Sequence, residues 1–179
     1  MRSRNPAIGP DVVGDWARRL PAGGSVLDLG CGHGVISQAL VDLGLTVYGV
    51  DASPTLLDAF RRRFPGAGAE CAAAEDSRYF DRTFDGVIAW GLIFLLPEPA
   101  QRTVITRAAG ALELGGGFLF TAPAQALVWT DVLTGRESRS LGAAEYRSLL
   151  RQGGCEVRDG RTDRGGNHYF CATRKTLAR

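Results

Sequence analysis

The stretch Val26-Leu-Asp28-Leu-Gly30-Cys-Gly32-His-Gly34 decides the fold: a short apolar run closes on an acid, and glycines follow at alternate positions. The run Ser25–Leu29 reads as a buried strand, and Val35, Ile36, Ala39, Leu40 and Leu43 then recur at the spacing of one helix face. Between them, glycine accepts positive φ in a tight turn and lets a ligand approach the backbone with no Cβ in the way. The N-terminus of the following helix offers free N–H groups to an anionic part of that ligand. A dinucleotide-binding turn runs G-x-G-x-x-G, and the place of its third glycine is here Val35. Asp28 would also sit badly beside two phosphates, whereas a zwitterionic ligand with an ammonium group fits it.

The same alternation continues outward. Gly44 closes the first helix in the usual C′ role, and Thr46–Val50 reads as a second strand. Ser53 is an N-cap and Pro54 a first helical residue, followed by Leu56, Leu57, Phe60 and Phe64 at helical spacing. Arg61-Arg62-Arg63 falls at the end of that helix, where it favours the negative pole of the macrodipole. A weak strand at Ala69–Ala72 precedes another at Asp85–Ala89, and a helix over Pro99–Leu112 groups Val104, Ile105, Ala108 and Leu112. Gly115-Gly-Gly117 turns the chain into strand Phe118–Thr121. A last helix, Ala143–Gln152, leads to strands Cys155–Arg158 and Asn167–Thr173, whose linker is too short for a parallel crossover. The expectation is an α/β fold: a seven-stranded, mostly parallel sheet with one antiparallel strand near the C-terminus and helices on both faces. One domain spans 1–179. A cover helix, Asp11–Leu20, lies within 1–22 and sets Val12, Val13 and Trp16 on one side. Residues 123–142 form an irregular excursion at the substrate side, where loops carry contacts.

The pattern Asp28-x-Gly30-x-Gly32-x-Gly34 resembles motif I of the class I S-adenosylmethionine-dependent methyltransferases. That resemblance implies a Rossmann-like fold in which Asp28, Gly30, Cys31, Gly32 and Gly34 embrace the methionine part of the cofactor. Asp51, within Tyr48-Gly-Val-Asp51-Ala-Ser-Pro54, resembles the family's second acid, which takes both ribose hydroxyls, with Ala52 beside it. Two carboxylate oxygens match two vicinal donors. Ala74-Glu75-Asp76 resembles the adenine loop. The family often has an acid two residues before Glu75; here Ala73 stands there, so adenine recognition falls to Asp76 and backbone groups. Phe84-Asp85-Gly-Val-Ile-Ala-Trp90 resembles the fourth strand leading to the transfer site, and Leu112-Glu-Leu-Gly-Gly-Gly117 with the C-terminal hairpin extends the likeness over nearly the whole chain. The resemblance implies methyl transfer from S-adenosyl-L-methionine, with S-adenosyl-L-homocysteine as product; because the sequence holds little beyond the cofactor core, the expected acceptor is oxygen, nitrogen or sulfur of a small molecule. A cofactor-binding, non-catalytic or partner-dependent subunit is the alternative, and RNA or protein methylation a further one.

Strand C-terminal ends face the crevice of an open α/β sheet, so Trp90, counted with the cofactor-binding residues, and Leu92 with Phe94, Pro123 and Trp129 are candidates for the acceptor side, joined by Trp16 and Tyr169. His168, with an ordinary pKa near neutrality, is the candidate general base. Net charge is +2 and the basic residues are scattered, so no nucleic-acid face is expected; the loop that DNA amino-group methylation requires is replaced by Ala89-Trp-Gly-Leu92. Lysine occurs only at Lys175, which excludes a phosphate loop ending in Lys-Ser/Thr. The four cysteines form no C-x-x-C pair, and Trp90–Leu96 holds no carboxylates, so no metal is expected. No apolar run approaches the roughly 20 residues that span a bilayer, and Met1-Arg-Ser-Arg leads into Asn5-Pro6 rather than a secretory signal. The expectation is a cytoplasmic protein acting on a small molecule, with no DNA or membrane partner; the residues do not express an oligomeric state.

Overall fold

The structure, a computed structural model, describes residues 10–132 and 135–176; the basic start of the chain lies outside the described residues. Helix α1 (Pro10–Ala17) precedes the alternating series β1 (Ser25–Leu29), α2 (Val35–Asp42), β2 (Thr46–Asp51), α3 (Pro54–Arg63) and β3 (Gly68–Cys71). Next come β4 (Phe84–Ala89), α4 (Glu98–Gly110) and β5 (Leu112–Thr121). A hairpin of β6 (Leu127–Thr130) and β7 (Glu137–Ser140) leads to α5 (Ala143–Gln152), β8 (Cys155–Thr162) and β9 (His168–Arg174). Short 3-10 turns at Tyr79–Asp81 and Ile93–Leu95 flank β4.

Seven strands form one sheet in the order β3-β2-β1-β4-β5-β9-β8. β1 to β5 pair in parallel, and β9 runs antiparallel to both of its neighbours. The strand order reverses between β1 and β4, which opens a crevice at the strands' carboxyl ends. The ends of β1, β2, β4 and β5 and the start of β9 therefore share one edge. On one face, α1, α2 and α3 bury Trp16, Ile36, Leu40, Leu57 and Phe60; on the other, α4 and α5 bury Val104, Ile105, Tyr146 and Leu150. Each large apolar side chain removed from water in these two layers contributes roughly 1.5–3 kcal/mol before entropy is counted.

Four local expectations change. First, α1 stops at Ala17, and the chain tightens through Arg19 N–H to Trp16 C=O and Leu20 N–H to Ala17 C=O before Pro21. Second, α2 is rotated: Val35 and Leu43 are 55% and 39% exposed, and Ile36, Ser37 and Leu40 face inward. The cause is Ser37, whose hydroxyl reaches the buried Asp28 carboxylate at 2.5 Å. Third, the three glycines before Phe118 belong to β5. Gly115 takes φ +82°, and the pairing register with β4 shifts between Phe84 and Gly86. Fourth, the excursion after β5 is a regular antiparallel hairpin, because Leu127-Val-Trp-Thr is a run of strand formers and the chain turns back through Gly135.

Candidate functional site

The glycine turn is fastened from below. Gly30 and Cys31 both donate their N–H groups to Val50 C=O, at 2.8 and 3.1 Å. At the end of β2, Asp51 accepts Gly32 N–H through Oδ2 and Ser53 N–H through Oδ1, each at 2.8 Å. One carboxylate thus ties the turn after β1 to the start of α3, and each oxygen retains acceptor capacity for a further donor. Two glycines serve different ends. A Cβ on Gly34, at φ +89°, would lie 2.3 Å from Phe64 Cε2, so that glycine makes room for packing. A Cβ on Gly32, at φ +53°, would meet nothing within 4 Å, so that glycine leaves open space above the turn.

Asp28 lies beneath this turn. Burial pushes its carboxyl up to about 7, the Ser37 hydrogen bond opposes that rise, and the neighbouring charge of Asp51 adds to it. A cation held at the turn would favour the ionised form. Cys31 is buried against Gly49, and burial first, then Asp28 and Asp51, hold its thiol protonated. Its backbone, rather than its sulfur, belongs to the turn. Ala52 is exposed at the end of β2. After β3, Ala72 N–H bonds to Asp51 C=O, and the N–H groups of Asp76 and Ser77 both go to Ala73 C=O. Asp76 is exposed, whereas Glu75 Oε2 is buried without a partner. Arg107 secures this loop by bonding the Glu75 and Ser77 carbonyls.

Beyond β5 and β9 lies a cavity of about 490 Å³, within the size range of small-molecule sites. Phe94 and Trp129 form one wall, their ring centroids 5.8 Å apart and tilted by 36°. Thr121, Pro123, Asn167 and His168 also line it. His168 Nδ1 lies 3.3 Å from Thr162 Oγ1, and Nε2 is buried without a partner. Burial, and then the charge of Arg147, holds the imidazole below its ordinary pKa, so it is neutral near pH 7.

Trp16 and Tyr169 do not line this cavity. Successive residues of a strand point to opposite faces, so Tyr169 lies on the α1 face while His168 and Phe170 lie on the α5 face. Tyr169 instead accepts the Trp90 Nε1–H at 2.9 Å and donates to Asp163 Oδ2 at 2.9 Å, which fixes the indole at the end of β4. Trp16 lies across Gly86 and Gly117, which pair in register; a Cβ on either would fall 2.9 Å from an atom of its ring. It therefore fills a slot in mid-sheet.

Several contributors escaped the sequence reading. Thr121 Oγ1 accepts Gly91 N–H at 2.8 Å and joins the ends of β4 and β5. Asp163 gathers Gly165 N–H, Asn167 N–H and the Asn167 amide, a side-chain turn that Asp163-x-Gly165-Gly166-Asn167 signals. Gln101 is fully buried in α4: its amide donates to Leu96 C=O and Arg139 C=O and accepts from Tyr146 OH. It thereby ties the Phe94 turn to the root of the Trp129 hairpin. Among the described residues, no three His, Cys, Asp or Glu side chains gather as a metal site, and no helix is long and apolar enough to cross a membrane.

Residues 26–116, about half of the chain, match the methyltransferase domain family. An uncharacterised methyltransferase of Mycobacterium bovis is 32% identical over 158 residues, covering 86% of this chain and 57% of its own length. A ubiquinone biosynthesis O-methyltransferase of Xanthomonas axonopodis is 34% identical over 113 residues, 58% of this chain and 44% of its own. The chain thus spans about half the length of these curated relatives. In fold it is similar to the Burkholderia thailandensis 1,6-didemethyltoxoflavin-N1-methyltransferase, a structure with bound 1,6-didemethyltoxoflavin and S-adenosylhomocysteine. That match has a TM-score of 0.75 at 18% identity and covers 93% of this chain and 77% of that one.

Proposed function

Since the chain belongs to the class I S-adenosylmethionine-dependent methyltransferase family, we propose that it transfers the cofactor's methyl group to a small-molecule acceptor in the cytoplasm. The observation that carries this reading is the Asp51 clamp beneath open space at Gly32: a cradle that a single Cβ would enter, with a two-oxygen acceptor beside it. These residues fit the cofactor. Asp51 would take the ribose hydroxyls, the turn at Gly30–Gly34 over Asp28 the methionine part, and the loop around Asp76 the adenine. Bound there, the cofactor supplies a methyl group made electrophilic by its sulfonium.

The chain's own contribution is position. Tyr169 fixes the Trp90 indole, and Thr121, which lines the cavity, fixes the Gly91 backbone, so the chain after β4 would border both cofactor and acceptor. Phe94 and Trp129 would hold an acceptor by offset contact with its apolar or planar part. Orientation of this kind lowers a two-body barrier by roughly 7–11 kcal/mol. For an acceptor that carries a proton, neutral His168, which lines the cavity, would take it. An acceptor with a free lone pair needs no base. The small-molecule class is supported by the size of the cavity and by the named activity of the Xanthomonas relative.

The test is product formation, S-adenosylhomocysteine release, across a panel of phenols, amines and thiols, repeated with Trp129→Ala. Turnover that the substitution weakens through the acceptor KM, with cofactor affinity intact, supports the assignment. Cofactor binding without turnover on any acceptor would favour a non-catalytic or partner-dependent subunit.

A further inference from the structure

A second hollow, of about 140 Å³, lies on the α1 face between that helix and the β8–β9 hairpin. The sheet separates it from the acceptor cavity: β9 gives Tyr169 and Cys171 to this hollow and His168 to the other. Its lining joins Trp16, Leu119, Tyr169 and Cys171 to Arg19, Arg158 and Arg161. Burial pushes the Cys171 thiol up, and Arg19, Arg158 and Arg161 each pull it back, so the three guanidinium fields converge on one interior point. Among the described residues their neutralisation is partial. Asp15 lies 3.1 Å from Arg161 but is shared with Arg18 at 3.2 Å, and Arg158 Nε donates to the neutral Thr173 hydroxyl.

Like charges around one hollow repel, and an anion among them relieves that repulsion. The guanidinium fork matches carboxylate or phosphate oxygens in pairs. Size decides between them: a bare inorganic ion would fill only about half of the hollow, whereas a carboxylate on a small organic body would fill it. The hollow holds on the order of ten non-hydrogen atoms at interior packing density. We propose that this face carries a second ligand site, separate from methyl transfer, which binds a small organic carboxylate between the three arginines and Trp16.

The probe is benzoate, titrated by calorimetry and ligand-observed NMR beside benzamide, its neutral counterpart, and inorganic phosphate. Benzoate is expected to saturate, with benzamide and phosphate each at least about ten-fold weaker, a difference of about 1.4 kcal/mol. Arg158→Gln and Arg19→Gln should each weaken benzoate several-fold, and both sites are exposed enough to leave the fold intact. Trp129→Ala, in the acceptor cavity, should leave benzoate binding unchanged. Equal binding of benzamide, phosphate as tight as benzoate, loss of binding in Trp129→Ala alone, or no saturation below about 10 mM benzoate would each overturn the proposal.

Discussion

Asp28→Asn is expected to stabilise the protein, and the gain should grow with pH. The carboxyl is 2% exposed, and burial pushes its pKa from 3.8 to about 7. A folded-state value above the unfolded one means that the native state holds the proton more tightly. Its contribution is therefore complete below the unfolded pKa and is lost as pH rises towards the folded pKa. At 1.36 kcal/mol per unit, the wild type should lose roughly 2–3 kcal/mol relative to the variant between about pH 5 and pH 8, most of it below pH 7. Asparagine keeps an oxygen for the Ser37 hydroxyl, so the local geometry survives. The assay is urea unfolding of both proteins at intervals across that range. Parallel stability curves, or a wild type that gains on the variant as pH rises, would refute the reasoning.

Other perturbations separate packing from chemistry. Gly34→Ala should cost about 2–5 kcal/mol, combining left-handed strain at φ +89° with the Cβ driven onto Phe64; thermal unfolding reads it, and a neutral change would remove the packing role. Gln101→Leu should cost about 2–4 kcal/mol by stranding the Leu96 and Arg139 carbonyls and the Tyr146 hydroxyl, and hydrogen exchange should rise in the β6–β7 hairpin. Unaltered exchange there would show that the clamp does not hold the hairpin. His168→Ala should lower turnover on a proton-bearing acceptor about 10²-fold and abolish the acid limb of its pH profile, a limb set below the ordinary histidine pKa by burial and Arg147. Cofactor affinity should not change; unchanged turnover would remove His168 from the chemistry.

The order of elements was legible because it rests on local signals. The glycine turn, the Ser53-Pro54 helix start and the short link before β9 each act within a few residues. The acid at the end of β2 was legible for the same reason. What escaped depends on which way a side chain faces after assembly. Strand parity separates His168 from Tyr169, yet only pairing with β5 and β8 says which face meets which helix. Trp16 was misplaced because its slot exists only once Gly86 and Gly117 lie side by side. The rotation of α2 follows from one buried hydrogen bond, Ser37 to Asp28, that overrides the apolar count. Gln101 did leave a trace: it falls on the helix face of Val104, Ile105 and Ala108, where a polar residue must find partners.

The central claim is tested most directly by calorimetric titration of S-adenosylhomocysteine into the purified protein and into Asp51→Ala. Saturable one-to-one binding to the wild type is expected, at least about ten-fold weaker in the variant, because the substitution removes the acceptor that positions Gly32 and Ser53. Correctly folded wild-type protein that fails to bind, or that binds a nicotinamide dinucleotide more tightly, would contradict it.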